Sequence, residues 1–381
     1  MTALANQRHL FDIPDDVAYF NCASRTPFLK SVVAAGDRGV RERVTPWTWD
    51  HKTVEAQVEA VRSLFAGLIG AAPNDIAICP AASYGLAVAA RNLPLGRGQT
   101  VLFLEDQFPS NVFIWMEKAA AAGATVVTVP RPADGDWTAA VLARIDSKTA
   151  IAALPPCHWT DGGILDLQTI GAACRDAGAA LVVDATQWAG AAPFDVARIK
   201  PDFVVVAAYK WLCCPNGMAL MYVAPDRQDG VPLEHHDYNH PVTAASIEGR
   251  LVYDPGYSLG ARRFDVGQTY NLVQMPMAEA ALAQVAAWTP GAVAGTLKPM
   301  IDAIADDLAA RGFRAPPLAH RAPHFIGLAG PVDPPKGLIT ALADTGVHAS
   351  LRCGGLRIAP HVYVSENDVC RLSEALAKIW A

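Results

Sequence analysis

The sequence predicts an α/β fold: a mostly parallel sheet with helices on both faces, joined to a smaller C-terminal α+β unit. Three observations carry that expectation. Short apolar, β-branched runs recur with helical stretches between them. Those runs rarely alternate with polar residues, which is how strands covered on both faces read. After about residue 228 the regular repeat gives way to an irregular stretch containing Pro, His and Asp.

The runs at 101–104, 125–129, 150–154, 180–183, 203–207 and 219–223 are read as strands. Helices are expected at 111–122, 137–145 and 167–177, the last stopped by Gly178. Strand, helix and strand repeated in this way build a parallel sheet, because each crossover helix returns the chain to the same edge. Residues 228–257 read as a long loop region. Two helices follow at 276–288 and 296–311, then the connector Arg314-Ala-Pro-Pro317. The tail, 319–381, ends in a helix that Ser365 caps, with Glu366 and Asp368 in its first turn. The expected division is a large domain over 15–260 and a small one made of 1–14 and 275–381.

Composition narrows the partners. The chain has 381 residues, 52% of them hydrophobic, enough for a sizeable core. A net charge of -6, with no basic run, argues against nucleic acid or an anionic membrane and leaves small molecules. The first eleven residues lack the apolar core of a signal peptide, and no apolar stretch is long enough to span a bilayer, so a cytoplasmic protein is expected. Eight cysteines show neither a CxxC pair nor zinc-type spacing; they read as reduced and mostly buried, with no metal.

The chemistry centres on Lys210, which ends the apolar run Asp202-Phe-Val-Val-Val-Ala-Ala-Tyr209, and on Asp184, which closes an earlier strand. A lysine where a buried strand becomes a loop is costly as an ammonium and suits a neutral amine that bonds an aldehyde. Pyridoxal phosphate needs such an amine, and also a carboxylate that keeps its ring nitrogen protonated. In a parallel sheet both residues fall at the carboxyl edge, where ligands bind. Gln187 lies three residues past the aspartate, placed to reach the cofactor's phenolic oxygen. Taken singly, Lys210 also reads as a strand-end lysine with its head in water, and Asp184 as a helix cap.

The stretch 202–221, with Lys210 followed by Gly217-Met-Ala219, resembles the lysine signature of the class V aminotransferases. That family includes cysteine desulfurases, selenocysteine lyases, kynureninases and isopenicillin N epimerases. Tyr209 stands where His or Gln is common; kynureninase-like members have a tyrosine there that contacts the cofactor phosphate. The resemblance implies fold type I, pyridoxal phosphate held by Lys210 as an imine, and a homodimer.

It also assigns roles along the chain. Ser83 and Tyr84, in Pro80-Ala-Ala-Ser-Tyr-Gly85 ahead of a helical run at 86–91, fall at the phosphate site. Phe108 takes the ring-stacking position, where desulfurases carry a histidine. In Cys157-His-Trp-Thr-Asp-Gly162, Asp161 stands where an Asn lies over the cofactor, and His158 is either a second acid/base or a structural residue. Thr269, or Gln268, in Arg262-Arg-Phe-Asp-Val-Gly-Gln-Thr-Tyr-Asn271 would reach the phosphate of a neighbouring subunit. Arg357, in Leu356-Arg-Ile-Ala-Pro-His-Val-Tyr363, would grip a substrate α-carboxylate, with Ala359 where Ser is common. Arg25 is a second anion binder or a solvated surface residue.

The expected enzyme is aminotransferase-like and acts on a small α-amino acid. Lys210 serves as the base at Cα, and Asp184 stabilises the carbanion through the ring. Epimerisation and β-elimination use the same residues; a cofactor-binding but catalytically silent protein is the alternative from another class. Sulfur transfer is disfavoured because Cys353, four residues before Arg357, leaves little room for a mobile loop. Cys213 and Cys214 lie just past Lys210, and Trp47, Trp49 and Trp159 either shape a pocket or pack in the core.

Overall fold

The computed structural model describes residues 3–240 and 253–380. Its strands are β1 (Ala18–Tyr19), β2 (Ile76–Cys79), β3 (Thr100–Leu104), β4 (Thr125–Val129), β5 (Thr149–Leu154), β6 (Ala180–Asp184), β7 (Phe203–Ala207) and β8 (Ala219–Val223). Four more, β9 (Ile326–Leu328), β10 (Val347–His348), β11 (Ser350–Arg352) and β12 (Gly355–Ile358), lie in the C-terminal part. The main sheet has seven strands in the order β2-β8-β7-β6-β5-β3-β4. From β7 to β4 all neighbours are parallel; β8 runs antiparallel to both β7 and β2. The α/β architecture read from the sequence is therefore the observed one.

Period-two side-chain alternation divides the core between the two faces of the sheet. In β7, Val204 and Val206 join one apolar cluster while Phe203 and Val205 join the other. All five residues of β6, β7 and β8 are buried, whereas the edge strand β4 has only Val129 buried. That is why the central runs were legible, while 125–129 stands out by its β-branched residues alone. β2 was not: its four residues are too short a run to stand out, and it enters antiparallel rather than as another strand–helix repeat.

The helices mostly follow their capping chemistry. Leu167–Ala177 starts where Asp166 accepts from the amides of Gln168 and Thr169, and it stops at Gly178 with φ 73°. Glu366–Ile379 begins with a reciprocal pair in which Ser365 N donates to Asp368 at 2.9 Å and Asp368 N donates to Ser365 Oγ at 3.2 Å. Pro290–Ala309 starts six residues before the expected 296, because Thr289 caps it and Pro290 occupies its first turn. Ala82–Asn92 starts four residues before the expected 86, which puts Ser83 and Tyr84 inside its first turn. Lys30–Glu42 and His51–Ile69 are further helices, packed against Gln274–Trp288. A Cβ on Gly39 would overlap the carbonyl oxygen of Leu272, so only glycine permits that approach.

The N-terminal segment packs on the C-terminal part. Leu4 N donates to Thr296 Oγ1 at 2.8 Å, Arg8 pairs with Asp368 at 3.1 Å, and β1 runs parallel to β10. The expected loop at 228–257 has neither helix nor strand among its described residues; 241–252 lie outside them. Six of the eight cysteines are buried, and Cys353 and Cys370 are exposed. No helix among the described residues is long and apolar enough to cross a membrane.

A buried ion cluster anchors β2. Arg62, 2% exposed, donates to both carboxylate oxygens of Asp265 and, at 2.6 Å, to the carbonyl of Ile76. Asp265 also accepts from the amide of Ile78 at 2.8 Å, while Glu59 pairs with Arg62 and Arg262. Removing one partner strands a buried charge, so Asp265→Asn should lower unfolding free energy by about 3–5 kcal/mol in urea titration. Replacing both charges, Arg62→Met with Asp265→Leu, should recover most of that loss.

Candidate active site

The carboxyl ends of the parallel strands open onto a cavity of about 420 Å³. Its wall is built from successive strand ends: Pro80 to Ser83 after β2, Gln107 and Phe108 after β3, Cys157 and Trp159 after β5, Asp184 with Thr186 and Gln187 at β6, and Tyr209 with Lys210 after β7. Convergence follows from the topology, since parallel strands end on one edge.

Lys210 is 7% exposed, and burial depresses its amine to about pH 8. Asp184 acts second and in the opposite direction, and the positive charges of Arg357 and Arg352 then lower the value further. The ammonium nitrogen lies 5.3 Å from the ring centroid of Phe108 and 5.7 Å from that of Tyr209. The backbone beneath is clamped: the Lys210 carbonyl accepts from Thr26 Oγ1 at 2.7 Å and from Cys213 N at 3.0 Å.

Asp184 is buried, and that burial raises its carboxyl, against the opposing hydrogen bonds of Thr186 and the charge of Lys210. Its Oδ1 accepts from Thr186 N at 3.1 Å. Thr186, which sequence reasoning missed, also accepts from Ala207 N through Oγ1 at 2.9 Å, tying the loop after β6 to the strand that delivers Lys210. Gln187 lines the cavity with its amide already engaged: it donates to Ala23 O at 2.8 Å and accepts from Trp211 Nε1 at 2.9 Å. One N–H remains for a ligand.

The first turn of Ala82–Asn92 has no side-chain cap, and its N-cap residue is Ala81. The leading amides are thus free for an anion at the cavity, beside Ser83. Tyr84 departs from the expectation. One turn position further, it faces the apolar cluster of Leu86 and Phe103, and its buried hydroxyl has no partner. Gln107 is a residue the sequence reading passed over; its buried Nε2 has no partner and it lines the cavity.

Two further expectations are corrected by one turn. His158 N donates to Gly163 O at 2.7 Å and Gly162 N to His158 O at 2.8 Å, so residues 158–163 close on themselves. The turn sends Trp159 into the cavity and Asp161 away from it. Asp161 pairs with Arg131, accepts from Gly163 N at 2.9 Å and lines a neighbouring cavity instead. His158 is fully buried, stacked on Trp137 at 5.2 Å, and held by Glu105 O at 2.9 Å and Thr160 Oγ1 at 2.7 Å. Burial lowers its pKa, both ring nitrogens are engaged, and it does not line the cavity. Arg25 is exposed and does not line the cavity. Thr269 is buried and lies outside its own chain's cavity.

Arg357, on β12, is 1% exposed. It donates to Trp159 O at 2.9 Å and to Ser24 Oγ at 2.7 Å, while its buried Nε has no partner. Burial first, and Arg352 second, lower its pKa to about 9; no carboxylate is among the charges acting on it. A guanidinium buried without an anion is a site built to receive one.

These features fit pyridoxal phosphate: a depressed amine, a buried carboxylate across from it, an aromatic wall at Phe108 and an uncapped helix start for the phosphate. Comparison with known proteins agrees. Residues 28–238, more than half of the chain, match the family model described as Aminotransferase class-V. The chain is 29% identical over 231 residues to the uncharacterized aminotransferase YcbU of Bacillus subtilis, spanning 59% of this chain and 58% of that one. It is 24% identical over 339 residues to isopenicillin N epimerase of Streptomyces clavuligerus, spanning 85% of each. Among solved structures, a C-DES mutant with glycine covalently linked to its PLP cofactor shares the fold with a TM-score of 0.86 at 20% identity, covering 98% of this chain and 99% of that one. The apo cysteine desulfurase from Thermococcus onnurineus shares it with a TM-score of 0.85 at 19% identity, covering 99% of each chain. With its lysine, its carboxylate and more than half its length all accounted for by one family, the chain belongs to the class V aminotransferases, enzymes that depend on pyridoxal phosphate.

Proposed function

We propose that this protein acts on a small α-amino acid by removing the Cα proton, with an aminotransferase-like outcome. The observation that carries the reading is the buried, depressed amine of Lys210 set between Asp184 and an Arg357 that no carboxylate among the described residues pairs with. Bound at this site, pyridoxal phosphate supplies an aldehyde carbon for an amine and a ring that accepts electrons. Lys210 provides the amine and, once displaced, the base. Near neutral pH an ammonium group depressed to about 8 has a usable neutral fraction. A cation at the ring nitrogen would draw Asp184 back toward its ionised form, offsetting the burial that now raises it. Arg357 fixes the α-carboxylate, and Phe108 with Trp159, in edge contact at 5.3 Å, walls the reacting carbon from water.

Epimerisation is the second reading, favoured by the relative matched over 85% of both lengths. It needs a second base on the opposite face. His158 is fully engaged, and burial raises the thiols of Cys157, Cys213 and Cys214. Sulfur transfer finds no support in Cys353: with Gly354 it forms the two-residue turn of the β11–β12 hairpin, at φ 46° and 78°, which leaves no long loop to carry the thiol. The reading includes a homodimer in which Thr269 or Gln268 serves the partner's phosphate; of the two, Thr269 is buried in its own chain and Gln268 is exposed.

Purified protein should show an absorbance band at about 410–430 nm that disappears in Lys210→Ala. Retention of the band in that variant would remove Lys210 from the reading. Offered a panel of amino acids, the enzyme should produce pyridoxamine-type absorbance and a keto acid; loss of optical rotation without keto acid would establish epimerisation instead. Because the neutral amine reacts, the rate at which cofactor-free protein captures the aldehyde should rise about tenfold per pH unit below pH 8 and flatten above it. A flat profile from pH 6 to 9 would contradict the depressed lysine.

A further inference from the structure

We propose that the substrate is an acidic amino acid, whose side-chain carboxylate is held by Arg352. The proposal rests on the reading of Lys210 and Arg357 above and adds the substrate class. Ser24 Oγ accepts from Arg357 Nη2 at 2.7 Å and from Arg352 Nη2 at 2.9 Å, so one neutral hydroxyl holds two guanidinium groups. Both lone pairs of that oxygen are used, and its proton is free to donate. The other contact of Arg352 is its own neighbour's carbonyl, Leu351 O at 2.6 Å. Neither arginine forms an ion pair among the described residues.

Elsewhere the chain pairs such groups. Arg62 has Asp265 and Glu59, Arg131 has Asp161, and Arg321 has Asp302. Two guanidinium groups on one uncharged acceptor repel each other. The missing negative charge is left for a ligand to bring.

The backbones of the two arginines are set apart, and their heads converge on one hydroxyl. Arg357 lies opposite Ser350 in the antiparallel pairing of β11 with β12, and Arg352 is two residues along the same strand as Ser350. The two arginines therefore project from one face as a diagonal pair, roughly 7–8 Å apart at the backbone. Their surroundings differ as well. Arg352 lines a neighbouring cavity of about 570 Å³, whose charged walls are Asp106, Arg131 paired with Asp161, and Arg314, whereas Lys210 lines the first. Trp159 stands between: its side chain lines the first cavity, its carbonyl holds Arg357, and its indole donates to Asp106 O at 2.7 Å at the rim of the second. A substrate whose α-carbon sits at Lys210 and whose α-carboxylate meets Arg357 would extend its side chain toward Arg352. A second carboxylate two or three carbons from Cα would reach Arg352 while the first meets Arg357, because both heads lie beside Ser24.

The test is calorimetric titration of the holoenzyme with glutarate and with butyrate, which share one carboxylate and carry no amine to react with the cofactor. Glutarate should bind at least about tenfold more tightly than butyrate, the gain expected of one charge-assisted bidentate pair. Arg352→Gln should erase that preference and leave butyrate affinity unchanged, while Arg352→Lys, which keeps the charge but not the fork, should retain part of it. Thermal melting confirms that each variant is folded. Equal binding of the two ligands, or a preference that survives Arg352→Gln, overturns the proposal. So does an equal loss for both ligands in Arg352→Gln, which would mean that both arginines hold one carboxylate. Absence of the visible band in the same preparation would instead sink the reading of Lys210, leaving the carboxylate preference measurable.

Discussion

An amine buried at the edge of a sheet is the constraint on which the site depends. A lysine that ends a strand would ordinarily reach water; Lys210 does not, because Thr26 and Cys213 hold its carbonyl and the rings of Phe108 and Tyr209 close around its head. Burial then weakens its hold on a proton, and two nearby arginines weaken it further. The depressed amine follows from packing rather than from any single neighbour.

The same sheet sets the distance to its acid partner. Asp184 lies opposite Val205 in the parallel pairing of β6 with β7, and five residues after that valine comes Lys210. Thr186 stitches the two strand ends by accepting from Ala207 N, and its amide holds the carboxylate in place. Gln187 extends the frame to the N-terminal segment through Ala23 O and to Trp211 next to the lysine. That N-terminal segment also supplies Ser24 to the arginines and Thr26 to the lysine, so residues far apart in sequence share one small wall.

Anions are handled in two distinct ways around this wall. An uncapped helix start offers backbone amides, which hold a phosphate without adding a competing charge. Arg352 and Arg357 offer fixed charge in a fork geometry, suited to carboxylates.

What the sequence determined by itself were the features that depend on neighbours in the chain. Apolar runs buried on both faces fix the strands; Asp166, Ser365 and Gly178 fix helix ends; and Lys210 and Asp184 are legible because each terminates such a run, while Arg357 is legible from the residues beside it. Tertiary structure decided the rest. Whether residue 158, 159 or 161 enters the cavity depends on a turn closed by hydrogen bonds across 158–163; it turns Asp161 away, buries His158 and, of the two readings open for Trp159, selects the pocket. β2 was hidden because four residues make too short a run, and its partners are distant in sequence: β8 on one side, and Arg62 and Asp265 on the backbone of Ile76 and Ile78. The meeting of Ser24 with Arg352 and Arg357 joins positions more than 300 residues apart, a proximity that no local pattern encodes because only the folded chain creates it.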